Sequence, residues 1–116
     1  MFLGVHVSAS GRIYEAIDRA SVLKCTAMQL FSRNPRQWKP LVIPDKDVRE
    51  FCHRRQESKI GIVVVHIPYL INLATPDIEL YQRSIAAYFE DVKQADALGA
   101  DFLVTHMGSA TDGDKG

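Results

Sequence analysis

Four short apolar runs, residues 2–7, 27–31, 62–66 and 102–106, end at or beside His6, Phe31, His66 and His106. The ends stand 25, 35 and 40 residues apart, and each interval holds a stretch with helical spacing. Ile13, Ala16, Ile17, Ala20 and Leu23 form the first such stretch. Val48, Phe51, Cys52 and Arg55 mark a short amphipathic helix after Pro44-Asp45, with Asp45 and Asp47 in its first turn. Ile78, Tyr81, Ile85, Phe89, Val92, Ala95 and Leu98 mark the third and clearest helix. Thr75 suits its N-cap, Pro76 its first position and Gly99 its C′ position. The run at 62–66 is β-branched and continuous, as in a strand buried on both faces.

The order is therefore β-α-β-α-β-α-β, and apolar strands alternating with helices predict a parallel sheet with right-handed crossovers. The rhythm is that of a (β/α)8 TIM barrel, which needs about 250 residues. The 116 residues are expected to be its N-terminal portion, one partial domain cut after the fourth strand, where a polar segment with three glycines follows. A small open doubly wound sheet is the alternative.

Hydrophobic residues make up 47% and charged residues 24%, which excludes disorder by composition. The longest apolar run, 60–65, is six residues, against roughly 20 for a membrane span. No basic stretch precedes a long apolar core at the N-terminus, so no secretory signal is expected. Cys25 and Cys52 form no CxxC pair, which favours a reducing, cytoplasmic setting. Net charge is zero, but residues 1–60 carry 11 basic and 6 acidic groups (+5), and residues 61–116 carry 3 and 8 (−5). Such asymmetry suits either a face made for a polyanion or unevenly solvated helices.

In parallel α/β folds ligands bind at the carboxyl ends of the strands. His6, His66 and His106 sit there, and His53 falls in the second helix as a surface residue. Each taken singly suits a core imidazole bonded to backbone. Three of four at one rim point to a site, and His66 with His106 suit Zn²⁺, short of the three protein ligands a catalytic zinc takes. Asp112 and Asp114 could add a carboxylate, from a glycine-rich platform. The segment 32–39 holds Arg33, Arg36, Lys39, Trp38 and the amides Asn34 and Gln37, with no acid. Such residues can neutralise phosphate, stack on bases and read base edges, or simply form a solvated loop with Trp38 in the core. Tyr69 and Leu70, just past a strand end, are core residues or apolar wedges for a nucleic-acid stack.

The stretches HVSASG (6–11), FSRNPRQWK (31–39), HIPYLINLATP (66–76) and LGADFLVTHMGS (98–109) resemble the endonuclease IV (deoxyribonuclease IV) family of zinc-dependent apurinic/apyrimidinic endonucleases, in order along the chain. The resemblance implies the first four strands of a TIM barrel whose complete form carries a trinuclear zinc cluster and acts as a monomer. It implies a base excision repair hydrolase that cuts double-stranded DNA 5′ to abasic sites by a zinc-bound hydroxide, leaving a 3′-hydroxyl. His66 and His106 match two zinc ligands, and His6 matches a histidine near the site. Arg36 matches the residue that enters the minor groove, and Tyr69 and Leu70 match the loop that opens the helix at the lesion. Asn34 and Gln37 accompany Arg36 as DNA-binding candidates. Met107 stands where the family has Pro, Ala110 where a second His often follows, and Arg12 where Gly is usual. The remaining zinc ligands, which come from later strands, are not in the chain, so activity is expected of the full-length protein and not of these 116 residues alone. Two other readings are a metal-dependent sugar isomerase or epimerase on the same barrel, and a non-catalytic truncated remnant that binds DNA or zinc.

Overall fold

The computed structural model describes residues 1–34, 36–39, 42–68, 70–106 and 108. The expectations placed on Tyr69, Met107, Ala110, Asp112 and Asp114 lie outside the described residues. The order of elements is β1 (Gly4–His6), α1 (Glu15–Val22), β2 (Ala27–Leu30), α2 (Asp45–Gln56), β3 (Ile62–His66), α3 (Ile78–Ala97) and β4 (Phe102–Val104). The strands form one sheet in the order β1-β2-β3-β4, and every neighbouring pair is parallel.

Register sorts the side chains into two sets. Val5 stands beside Met28, Met28 beside Val63, Leu30 beside Val65 and Val65 beside Leu103. This row faces the helices, where Met28, Leu30, Val63 and Val65 are buried against Ala16, Ile17, Ala20 and Phe51. The alternate row holds His6, Gln29, Val64, His66, Phe102 and Val104 and forms the other face. No helix among the described residues is long and apolar enough to cross a membrane.

The strands β1, β2 and β4 are shorter than the apolar runs 2–7, 27–31 and 102–106, and three details of the helices also depart from the sequence expectations. The first helix begins at Glu15, after Ile13, and Leu23 at its end is exposed, because Lys24 turns the chain with a φ of 59° before β2. The cap of α3 is Asp77 and not Thr75: its carboxylate accepts from Glu79 N at 3.0 Å and Leu80 N at 3.2 Å. Thr75 Oγ1 accepts from Asp77 N, so it shapes the approach, and Pro76 precedes the cap. The apolar stripe of α3 is fully buried only toward its C-terminal end, at Ala95 and Leu98. Ile78, Tyr81, Phe89 and Val92 are exposed, and Ser84, Asp91 and Ala95 are buried. Gly99 does take the C′ position, at φ +72°, with Ala100 N donating to Ala95 O and Gly99 N to Asp96 O.

At the amino ends of β3 and β4, Arg55 of α2 donates to Gly99 O, Gly61 O and Asp101 Oδ2, and Asp101 Oδ2 also accepts from Val63 N at 2.9 Å. The Val63 N–H chiefly, and Arg55 in addition, hold the Asp101 carboxyl below the usual carboxylate range. This staple fixes the rim opposite to the one where the histidines gather.

Val5 on the β1 edge is 51% exposed and Phe102 on β4 is 61% exposed, beside exposed Phe2, Leu3 and Val104. Open strand edges flanked by apolar side chains template pairing with other chains. The 116-residue chain on its own is therefore expected to self-associate at micromolar concentration. Analytical ultracentrifugation checks this, and a monomer with a sharp cooperative melt would contradict it.

Candidate metal and nucleic-acid site

Strand parity builds the site. His6 lies beside Gln29 and His66 beside Val104. Phe31 and His106 follow Gln29 and Val104 by two residues, so all four rings come from one face of the sheet. They form a row along the carboxyl rim. His6 and Phe31 meet edge to face at 4.8 Å, Phe31 and His66 at 5.3 Å, and His66 and His106 lie 4.9 Å apart. The expectation that His66 and His106 emerge at one rim is met, with their Nε2 atoms 3.1 Å apart.

His66 Nδ1 lies 2.7 Å from Ile67 O. A carbonyl only accepts, so Nδ1 carries the proton, and Nε2 of the neutral ring keeps its lone pair. This is the arrangement that orients a metal-ligating histidine. Two nitrogens on one tetrahedral zinc at about 2.0–2.1 Å stand about 3.3 Å apart. The observed separation fits that requirement. Among the described residues no group of three His, Cys, Asp or Glu could hold a metal, so the pair is a partial donor set.

His6 differs. Its Nδ1 accepts from Gln29 Nε2 at 3.1 Å, and the Phe31 ring stands between it and His66. Burial, with His66 nearby adding, holds its pKa below the ordinary imidazole value. His53 is exposed on α2, as expected, and both cysteines are free.

The loop after β2 divides its basic residues between two tasks. Arg36 is exposed, and its N–H donates to Asn34 Oδ1 at 2.9 Å, so Asn34 shapes the turn that presents Arg36. Gln37 and Lys39 are also exposed. Arg33 is not available to phosphate: its side chain is 1% exposed and paired with Asp91 of α3. Trp38 joins no core cluster and lies half-buried with the Arg83 guanidinium 4.6 Å over its ring. Leu70 is half-buried in the loop after β3, and Asn72 N in that loop donates to Ser84 Oγ of α3.

A cavity of about 790 Å³ opens between the loops after β1 and β2, lined by His6, Ser8, Ser10, Phe31, Asn34 and Asp47 among others. Arg12 spans its wall through an ion pair with the buried Asp47 at 3.0 Å, so this departure from the family pattern ties the first loop to α2. Sequence reasoning singled out neither the Phe31 spacer nor the Arg33–Asp91 pair. Phe31 was visible as a strand end; the ion pair joins residues 58 positions apart and had no local signal.

Residues 17–116 match the family model described as the xylose isomerase-like TIM barrel. The chain is 39% identical over 111 residues to the probable endonuclease 4 of Halothermothrix orenii, covering 96% of this chain and 40% of the relative. It is 42% identical over 106 residues to the probable endonuclease 4 of Methanosphaerula palustris, covering 91% and 37%. The crystal structure of endonuclease IV from Thermus thermophilus superposes with a TM-score of 0.90 at 33% identity, covering 95% of this chain and 41% of that one. The chain thus spans about two fifths of the length of the relatives it matches, and its four parallel strands with alternating helices correspond to the N-terminal half of the barrel.

Proposed function

The chain belongs to the xylose isomerase-like TIM barrel family, and from that premise we propose that residues 1–116 are the N-terminal portion of one barrel domain of a DNA-repair endonuclease that hydrolyses the phosphodiester 5′ to abasic sites. The observation that carries this reading is the 3.1 Å approach of the His66 and His106 Nε2 atoms at the rim that also presents Arg36. A sugar isomerase would use the metal pair but has no need of an exposed basic loop beside it, and the named relatives are endonucleases.

In this reading His66 and His106 hold zinc, part of a trinuclear cluster in the full-length protein, and bound zinc supplies Lewis-acid stabilisation of the phosphodiester. Arg36, aided by Asn34 and Gln37, carries positive charge into the narrow minor groove. Tyr69 and Leu70 fill the stack at the lesion. An abasic sugar has no base to unstack, so extruding it costs less than extruding an intact nucleotide, and selectivity follows from that difference. His6 lines the site without ligating. The full-length protein acts as a monomer on abasic duplex DNA, in the reducing cytoplasm that suits free cysteines.

The test is fluorescence anisotropy with a duplex bearing a stable abasic analogue and with the intact duplex. The chain is expected to favour the abasic duplex. Tyr69→Ala should weaken that binding about 5- to 150-fold, the range of about 1–3 kcal/mol for a stacking contact, and Arg36→Ala should weaken binding to both duplexes and flatten the salt dependence. Neither should alter zinc content. Equal affinity of the chain for the two duplexes would overturn the reading.

A further inference from the structure

We propose that the buried Arg33–Asp91 pair is the strut that positions the DNA-facing loop after β2, and that α3 is the common backing on which this loop and the loop after β3 are aligned. The proposal rests on the functional reading above for what the loops bind, but its geometry stands apart from it. Arg33 Nε donates to Asp91 Oδ1 at 2.7 Å and Arg33 Nη2 to Asp91 Oδ2 at 3.0 Å, a bidentate pair with both side chains 1% exposed. The third edge of the guanidinium, Nη1, donates to the backbone carbonyl of Gln37. One planar group therefore bolts the loop's far side, next to Arg36 and Trp38, onto the middle of α3.

A buried ion pair is a poor source of stability, since desolvation offsets most of the attraction. What a rigid, planar fork supplies is geometry. Two further contacts repeat the theme on the same helix. Arg83 lies over Trp38 of the first loop, and Ser84 Oγ accepts from Asn72 N of the second at 3.0 Å. The residues that hold both loops thus lie at 83, 84 and 91 of one rigid element, so the spacing between Arg36 and Leu70 is set by α3. Ser84 and Asp91 are accordingly buried on α3 together with Ala95.

Trp38 is the only tryptophan, so its emission reports the loop directly. Removing Arg33 or Asp91 alone leaves an unpaired buried charge and confounds positioning with unfolding. The informative variant is Arg33→Met with Asp91→Val, which removes both charges and changes the combined side-chain volume little. It should melt within a few degrees of wild type, yet acrylamide quenching of Trp38 should rise at least twofold and abasic-duplex affinity fall at least fivefold. Arg33→Gln with Asp91→Asn, which removes both charges and keeps a neutral hydrogen-bonding pair, serves as the second variant and should show an intermediate rise in quenching. Trp38 as shielded in either folded variant as in wild type would overturn the strut. A released Trp38 with abasic affinity unchanged would overturn its role in DNA binding. A wild-type chain with no preference for abasic over intact duplex would instead overturn the functional reading, while the quenching result still decides the strut.

Discussion

Phe51→Ala is expected to destabilise the chain by about 3–5 kcal/mol, the range for truncating a buried aromatic. Phe51 is fully buried and belongs to the cluster in which α1, α2 and the helix-facing row of the sheet meet. It comes from α2, whose sequence is otherwise strongly polar: only Asp47 and Phe51 of that helix are buried. Val48 packs on the cluster only in part. No neighbouring side chain of α2 can therefore move in to fill the space. A domain has about 5–15 kcal/mol in total, so the variant loses a large share of it and with it the docking of α2. Urea denaturation followed by circular dichroism reads the effect as a midpoint lowered by about 1 M or more. Val42→Ala, at an exposed site in the preceding segment, should leave the midpoint where it is. An unchanged midpoint for Phe51→Ala would mean that α2 does not contribute to the cooperative unit.

The framework was legible because it follows from local pattern. The β-branched run at 62–66 forms β3 with the expected bounds, and Asp45 and Asp47 do lie in the first turn of α2. The place of His66 and His106 at one rim followed from the same pattern, His66 ending β3 and His106 standing two residues past the end of β4. The failures share one cause. Thr75 and Asp77 are both good capping residues two positions apart, and only the direction in which the chain enters α3 decides between them. The stripe of α3 marked the helix but not which residues it buries: Ala95 and Leu98 are buried, Ile78, Tyr81, Phe89 and Val92 are exposed, and Asp91 meets the demand of Arg33, 58 positions away, for a carboxylate. That demand is a tertiary constraint with no periodicity of its own. The same pair removes Arg33 from the basic surface on which composition had counted it, and leaves Arg36 and Lys39 exposed there.

His106→Ala is expected to lower the zinc affinity of the chain at least tenfold, and His66→Ala to do the same. The two Nε2 atoms face each other at 3.1 Å, and the proton on His66 Nδ1, held toward Ile67 O, leaves the inward nitrogen of that ring basic. An ion placed there has both rings as donors, with water completing its shell, so affinity is weak compared with a closed site of three or four protein ligands. Losing either ring leaves a single imidazole, which holds zinc little better than a histidine in solution. His6→Ala supplies the contrast. Its Nδ1 is occupied by Gln29, and Phe31 separates it from the pair, so its removal should change zinc affinity by less than about threefold. Binding to abasic duplex should survive largely intact in all three variants, because under the proposed function the DNA contacts come from the loops and not from the imidazoles. Calorimetric titration with zinc beside anisotropy with DNA separates the two functions. A loss of zinc affinity in His6→Ala equal to that in His106→Ala would make the row of rings one extended site. Unchanged affinity in His106→Ala would reduce the 3.1 Å contact to an ordinary hydrogen bond between two histidines.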